Sequence, residues 1–517
     1  MLRLSLGLLL AAFIAAPSLA AAPQAPIAAC ETLASAGLDG VADAPVHIVS
    51  ATPVGADGGQ ACEVKGTIAP KIGFFVRLPM ATYTGRYLQI GCGGLCGEPP
   101  KDAPQANGCA PYERGEFAVA GTDMGHQGFA PDFGDDPQLR VDFAYRAQHQ
   151  TALVAKALIK TFYGAAPTHS YFSGCSDGGR EALIEAERYP DDFDGVAAGA
   201  PAANFLVQNT FYHGWNAASN TGVDGKPIIT AADLPILHKA ALAACKAVDG
   251  VIDDPLRCAF DPAGARCKDG QSADCLSAAK VAAARKIYQG PQDKGGVWLT
   301  PGGPLPGSER AWEGVYVPNA GSSDIFSRMI AGGVVDHIAL PAGQKGGGLT
   351  FDRAFYAAML PQHPLYDGTN PDLTAFAKRG GKLILWHGLS DQHITPIGTI
   401  AYAQAASAAL GADADKTMRL FLFPGMYHCG GGEGATTTDV LTPLIAWVEG
   451  GAAPAALVAH GEGADARVTF PYPALAHYTG AGDKADPNSY AAQNPAPFAV
   501  RPWIGEALFT AASFGAK

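Results

Sequence analysis

Ser176, Asp391 and His428 are the residues of this chain whose types and order suit acyl transfer. Ser176 lies in Gly174-Cys175-Ser176-Asp177-Gly178, which fits the nucleophile-elbow pattern G-x-S-x-G. That pattern is common by chance, but here it follows a predicted strand and opens a predicted helix, the arrangement that lifts a serine oxygen above a sheet. Gly174 and Gly178 leave room for the turn, and Gly179 allows close helix-to-strand packing. The acid of such a triad should follow a later strand and precede the histidine, which selects Asp391 in Gly388-Leu389-Ser390-Asp391 and His428 in Pro424-Gly425-Met426-Tyr427-His428-Cys429-Gly430. In that assignment Ser176 attacks an ester carbonyl, His428 takes and returns the proton, and Asp391 holds the imidazole tautomer. Backbone donors must meet the developing oxyanion. One is expected from Asp177 and the other from the loop near Gly93 or Gly94, with Gly94 taken as the donor. His387, His393 and His126 read as loop or core residues, His387 being the weaker base candidate.

A cysteine adjoins both the nucleophile and the base. If Ser176 and His428 meet, Cys175 and Cys429 come within disulfide distance, and one bridge tethers the two residues. The first residues favour such chemistry: Met1-Leu2-Arg3 is a short basic start, Leu4 to Ala16 an apolar run, and Ser18-Leu19-Ala20 a small-x-small cleavage site. Residues 1–21 therefore read as a secretory signal, too short for a retained membrane span, and the protein is expected to be secreted or periplasmic. Ile27-Ala28-Ala29-Cys30 resembles a lipoprotein box, but prolines separate it from the apolar run, which argues against anchoring. In an exported chain, eleven cysteines read as bridges with at least one left over, not as a metal cluster.

The 517 residues, 48% hydrophobic and 16% charged, suffice for a large globular core and more than one domain or a large insertion. A net charge of -12 excludes the basic surface that nucleic acid requires and leaves small-molecule substrates. Positioning elements are predicted as strands over 73–80, 86–90, 117–121, 170–173, 195–199, 382–386 and 419–423, with helices over 141–162, 180–189, 396–410 and 439–450. Strand, helix, strand in this order implies a parallel sheet with right-handed crossovers. Between Pro201 and Lys382 the strand rhythm lapses, and the segment reads as an insertion with helical patches such as Ala231 to Val248.

The chain resembles the tannase and feruloyl esterase family of α/β-hydrolases. The residues that carry the resemblance are Gly174 through Arg180, Asp123-Met124-Gly125-His126, Asp391 with Ile394-Thr395-Pro396, His428-Cys429, Pro306-Gly307-Ser308-Glu309 with Trp312, and Pro471-Tyr472-Pro473. It implies an α/β-hydrolase fold divided at residues 22–201 and 373–517 by a lid domain, 202–372. It also implies a secreted serine carboxylesterase acting on hydroxycinnamoyl or galloyl esters, with Ile394 beside the acyl group and bridges Cys175–Cys429, Cys30–Cys62, Cys245–Cys258 and Cys267–Cys275. Cys92, Cys96 and Cys109 remain, with three ways to form one bridge. The chain departs from the family pattern at the lid's calcium loop, shortened here to Cys245 through Asp254 with Lys246 in place of an aspartate, so no calcium or other cofactor is expected. Phe470 stands where relatives often carry a cysteine. The competing functions are a serine hydrolase of another class, such as a peptidase, and an inactive polyphenol-binding protein.

Overall fold

The computed structural model describes residues 22–55, 60–271, 273–461 and 466–515. A nine-stranded sheet runs through it: β1 (Val46–Val54), β2 (Ala61–Ile68), β3 (Ile72–Pro79), β4 (Arg86–Ile90), β5 (Phe117–Thr122), β6 (His169–Cys175), β7 (Gly195–Gly199), β8 (Lys382–Gly388) and β9 (Met418–Phe423). Their order is β1-β2-β3-β5-β4-β6-β7-β8-β9. From β5 to β9 neighbouring strands are parallel, and β6 and β7 are buried along their whole length because helices cover both faces.

The parallel sheet predicted from sequence is thus one part of a mixed sheet. β1, β2 and β3 pair antiparallel, and β3 pairs antiparallel with β5. β1 and β2 escaped the sequence reading because polar residues such as His47, Thr52, Glu63 and Lys65 interrupt them, as suits strands near an open edge. The helix predicted over 141–162 begins earlier, at Pro137, where Asp136 accepts from the N–H groups of Gln138 and Leu139. It includes a π-helical turn, Asp142–Arg146, before the α-helix Ala147–Tyr163. The helical patch near Ala231 is a helix over Leu234–Ala244 behind a Thr230/Asp233 capping box. No helix among the described residues is long and apolar enough to cross a membrane. Residues 1–21, read above as a signal, lie outside the described residues.

The crossover between β7 and β8 contains the insertion. It carries a core of its own, in which Leu237, Leu276, Ile287, Trp312 and Tyr316 are fully buried together. Two further clusters lie on either side of the sheet. The insertion reaches the sheet's carboxyl end: Tyr316 donates its hydroxyl to the Gln392 carbonyl at 2.8 Å, beside Asp391.

Candidate active site

Four loops at the carboxyl ends of the parallel strands build the site. The β6 loop presents Ser176, whose φ of 68° and ψ of -121° lie in a region that L residues enter only at a cost of about 1–3 kcal/mol. The backbone is held there by Ser176 N–H donating to Gly199 O and by Ser176 O accepting from Ala202 N–H and Arg180 N–H. Crowding explains the surrounding glycines. A Cβ on Gly174 would come within 2.4 Å of the Gly178 carbonyl oxygen, and one on Gly179 within 2.3 Å of that of Gly199.

The β8 loop carries Asp391, fully buried, and the β9 loop carries His428. Asp391 Oδ2 lies 2.7 Å from His428 Nδ1, which leaves Nε2 as the ring nitrogen for another partner. Asp391 Oδ1 accepts from the N–H groups of His393 and Ile394, at 2.7 and 2.9 Å. His387 Nε2 lies 3.1 Å from the same Oδ2, while its Nδ1 meets the Thr399 hydroxyl at 2.8 Å. Burial alone would raise the Asp391 carboxyl. The charge of His428 and hydrogen bonds from His387 and His428 outweigh it and hold the group well below the usual carboxylate range.

His387 is the residue of this network that sequence reasoning underrated. Its place at a strand end, four positions before Asp391, was the available signal. Gln392 was also missed; its side-chain oxygen accepts from His428 N–H at 3.2 Å.

Cys175 and Cys429 are bridged, with Cα atoms 5.9 Å apart across 254 positions of sequence. Cys30–Cys62, Cys245–Cys258 and Cys267–Cys275 are bridged as well. Of the three cysteines left open, Cys92 pairs with Cys96, and Cys109 is a buried thiol whose pKa burial raises.

Ser176, Asp177, Gly93, Gly94, Ile394 and His428 all line one cavity of about 660 Å³. Asp177 N–H begins the helix Asp177–Arg188, whose amino end favours negative charge. The Asp177 carboxylate is held on both oxygens by Arg180, at 2.6 and 2.9 Å. Gly94 has φ +64°, and a Cβ there would meet the Phe129 ring at 2.2 Å, so both conformation and space call for glycine. Beneath this loop the buried Glu181 accepts from Cys92 N–H at 3.2 Å; burial first, then the charge of Asp177, pushes its carboxyl well above the ordinary range. A strained serine, a histidine bonded to a buried carboxylate, and backbone N–H groups on one cavity wall can together perform nucleophilic acyl transfer.

The segment Cys245 to Asp254 does not fit a calcium ion. Its carboxylates are engaged with cations instead: Asp249 with Lys484 at 3.1 Å, Asp253 with Arg467, and Asp254 with Arg257 at 2.9 Å. Lys246 adds a positive charge where oxygen ligands are needed.

Fold and site together define an ester hydrolase of the α/β-hydrolase class. Residues 57–493 match the family described as "Tannase and feruloyl esterase". The chain is 32% identical to a mono(2-hydroxyethyl) terephthalate hydrolase of Piscinibacter sakaiensis, over 89% of this chain and 91% of that one. It is also 32% identical to a probable feruloyl esterase B-1 of Neosartorya fischeri, over 82% and 84%. The crystal structure of feruloyl esterase B from Aspergillus oryzae superposes with a TM-score of 0.77 at 26% identity, covering 90% of this chain and all of that one. The chain belongs to the tannase and feruloyl esterase family, and it is a carboxylic ester hydrolase of that type.

Proposed function

We propose that this protein is an exported serine esterase that cleaves hydroxycinnamoyl or galloyl esters through an acyl-enzyme on Ser176. The carrying observation is the pairing of His428 Nδ1 with Asp391 at 2.7 Å while the Cys175–Cys429 bridge ties His428's neighbour to that of Ser176. Ser176 Oγ adds to the ester carbonyl carbon as His428 Nε2 takes its proton; Asp391 fixes the ring and stabilises the imidazolium. The tetrahedral oxyanion lies between the N–H groups of Asp177 and Gly94. Its collapse expels the alcohol, which takes the proton from His428, and water then repeats the sequence on the acyl-serine.

Residues 202–372 act as the lid over the acyl group, with Ile394 on the cavity wall beside it. Five bridges favour an oxidising compartment, in keeping with the signal read over residues 1–21. The fungal relatives named feruloyl esterases support the phenolic acyl group. The enzyme works without calcium, since the segment Cys245 to Asp254 offers the ion no suitable oxygen set.

Replacing Ser176 tests the reading. Ser176→Ala should lower kcat on ethyl ferulate by about 10⁶-fold while Tm is kept, and a fluorophosphonate should label the wild-type protein at Ser176 alone. Retained turnover, or labelling elsewhere, would sink it.

A further inference from the structure

The cavity sorts substrates by charge, and this inference rests on the serine-esterase reading above. Its apolar wall is formed by Phe129, Phe205, Phe326, Ile330 and Ile394. Its neutral polar groups are Asn209, His213 and His393. His213 Nδ1 lies 2.8 Å from the Ser327 hydroxyl, and the His393 ring packs at 4.7 Å on Phe326 and 4.9 Å on His428. Burial, reinforced by the charge of His428, pushes His393 down to about 3 and His213 well below its ordinary value, so both imidazoles are uncharged at neutral pH.

The charged side chains on the lining are acidic apart from the base itself. Asp177 is paired with Arg180, whereas Glu98 and Asp102 are exposed at the cavity mouth. No lysine or arginine lines the cavity among the described residues, and Lys101, the basic residue of this loop, is not on its wall. A carboxylate carried in on the acyl group would lose water without gaining a cation, and it would approach past two like charges. A phenol or its methyl ether meets groups that donate or accept without net charge.

We propose that this site takes uncharged phenolic acyl groups and rejects acyl groups bearing a second carboxylate, with Glu98 and Asp102 as the residues that enforce the rejection at the mouth. This enzyme therefore differs in acyl charge preference from a hydrolase of a terephthalate monoester, whose acyl group keeps a free carboxylate.

Methyl 4-hydroxycinnamate and methyl 4-carboxycinnamate differ only at the para position, and the electron-releasing hydroxyl makes the first the less reactive ester. At pH 7 kcat/KM should nevertheless favour the phenol by about ten-fold or more, chiefly through KM. In a Glu98→Lys/Asp102→Lys variant, altered at two exposed positions, that ratio should fall by about three-fold or more. Equal turnover of the two esters, or a ratio unmoved by the charge reversal, overturns the proposal. Calorimetric binding of the same esters to Ser176→Ala supplies a readout without chemistry. If ethyl ferulate is not hydrolysed at all, the esterase reading falls, while equal Kd values for the two esters on Ser176→Ala overturn the charge proposal separately.

Discussion

At the scale of single residues, Asp391 has the most constrained chemistry in the molecule. It is buried, yet two backbone N–H groups, His428 and His387 all favour its ionised form. A carboxyl whose folded pKa is depressed adds stability that is fully present above its unfolded value of about 4 and is lost as pH falls toward the folded one. Asp391→Asn should therefore lower kcat by about 10⁴-fold, because the wrong tautomer of His428 is then favoured. The stability gap between wild type and this variant should also shrink as urea midpoints are measured from pH 6 down to pH 3. A gap that widens on acidification would contradict the depressed carboxyl. The types and order of Ser176, Asp391 and His428 were legible in the sequence, since each follows an apolar strand. The role of His387 was not, because a histidine before an aspartate has no meaning until both side chains turn to one side of the loop.

Among the elements, the Cys175–Cys429 bridge joins the loops after β6 and β9, which are not neighbours in the sheet. Closing so long a loop can contribute up to about 5 kcal/mol in the chain-entropy view. Its position matters more, since it holds Ser176 and His428 on one cavity wall. Mild reduction, or a Cys175→Ala/Cys429→Ala variant, should lower kcat on ethyl ferulate at temperatures where circular dichroism still reports a folded protein. Activity and fold lost together would argue against a local role. The adjacency of Cys to Ser and of His to Cys made this bridge readable. The Cys92–Cys96 bridge was one of three equal choices in the sequence, and only the turn at Gly93 and Gly94 selects it.

At the scale of the whole molecule, an insertion with its own core sits over the end of a mixed sheet and braces the Asp391 loop through Tyr316. Its stability comes from that core, two bridges and ion pairs at the shortened loop, which is why no calcium is needed there. Excess EDTA should leave both Tm and ethyl ferulate turnover unchanged, and added calcium should not restore or raise either. A clear fall in Tm on chelation would reinstate the ion.

The sequence by itself determined the parallel half of the sheet, the elbow, and the order of the three reacting residues. Those features are written in local patterns: buried strands are continuous apolar runs, and an elbow needs glycines at fixed offsets. Tertiary structure alone decided that β1 and β2 extend the sheet antiparallel, that Cys92 takes Cys96, that His387 serves Asp391, and that the cavity is lined without a lysine or arginine. Each of these depends on which side chains meet across long stretches of chain, and strand edges, rotamers and shared cavities leave no periodic trace in the residues themselves.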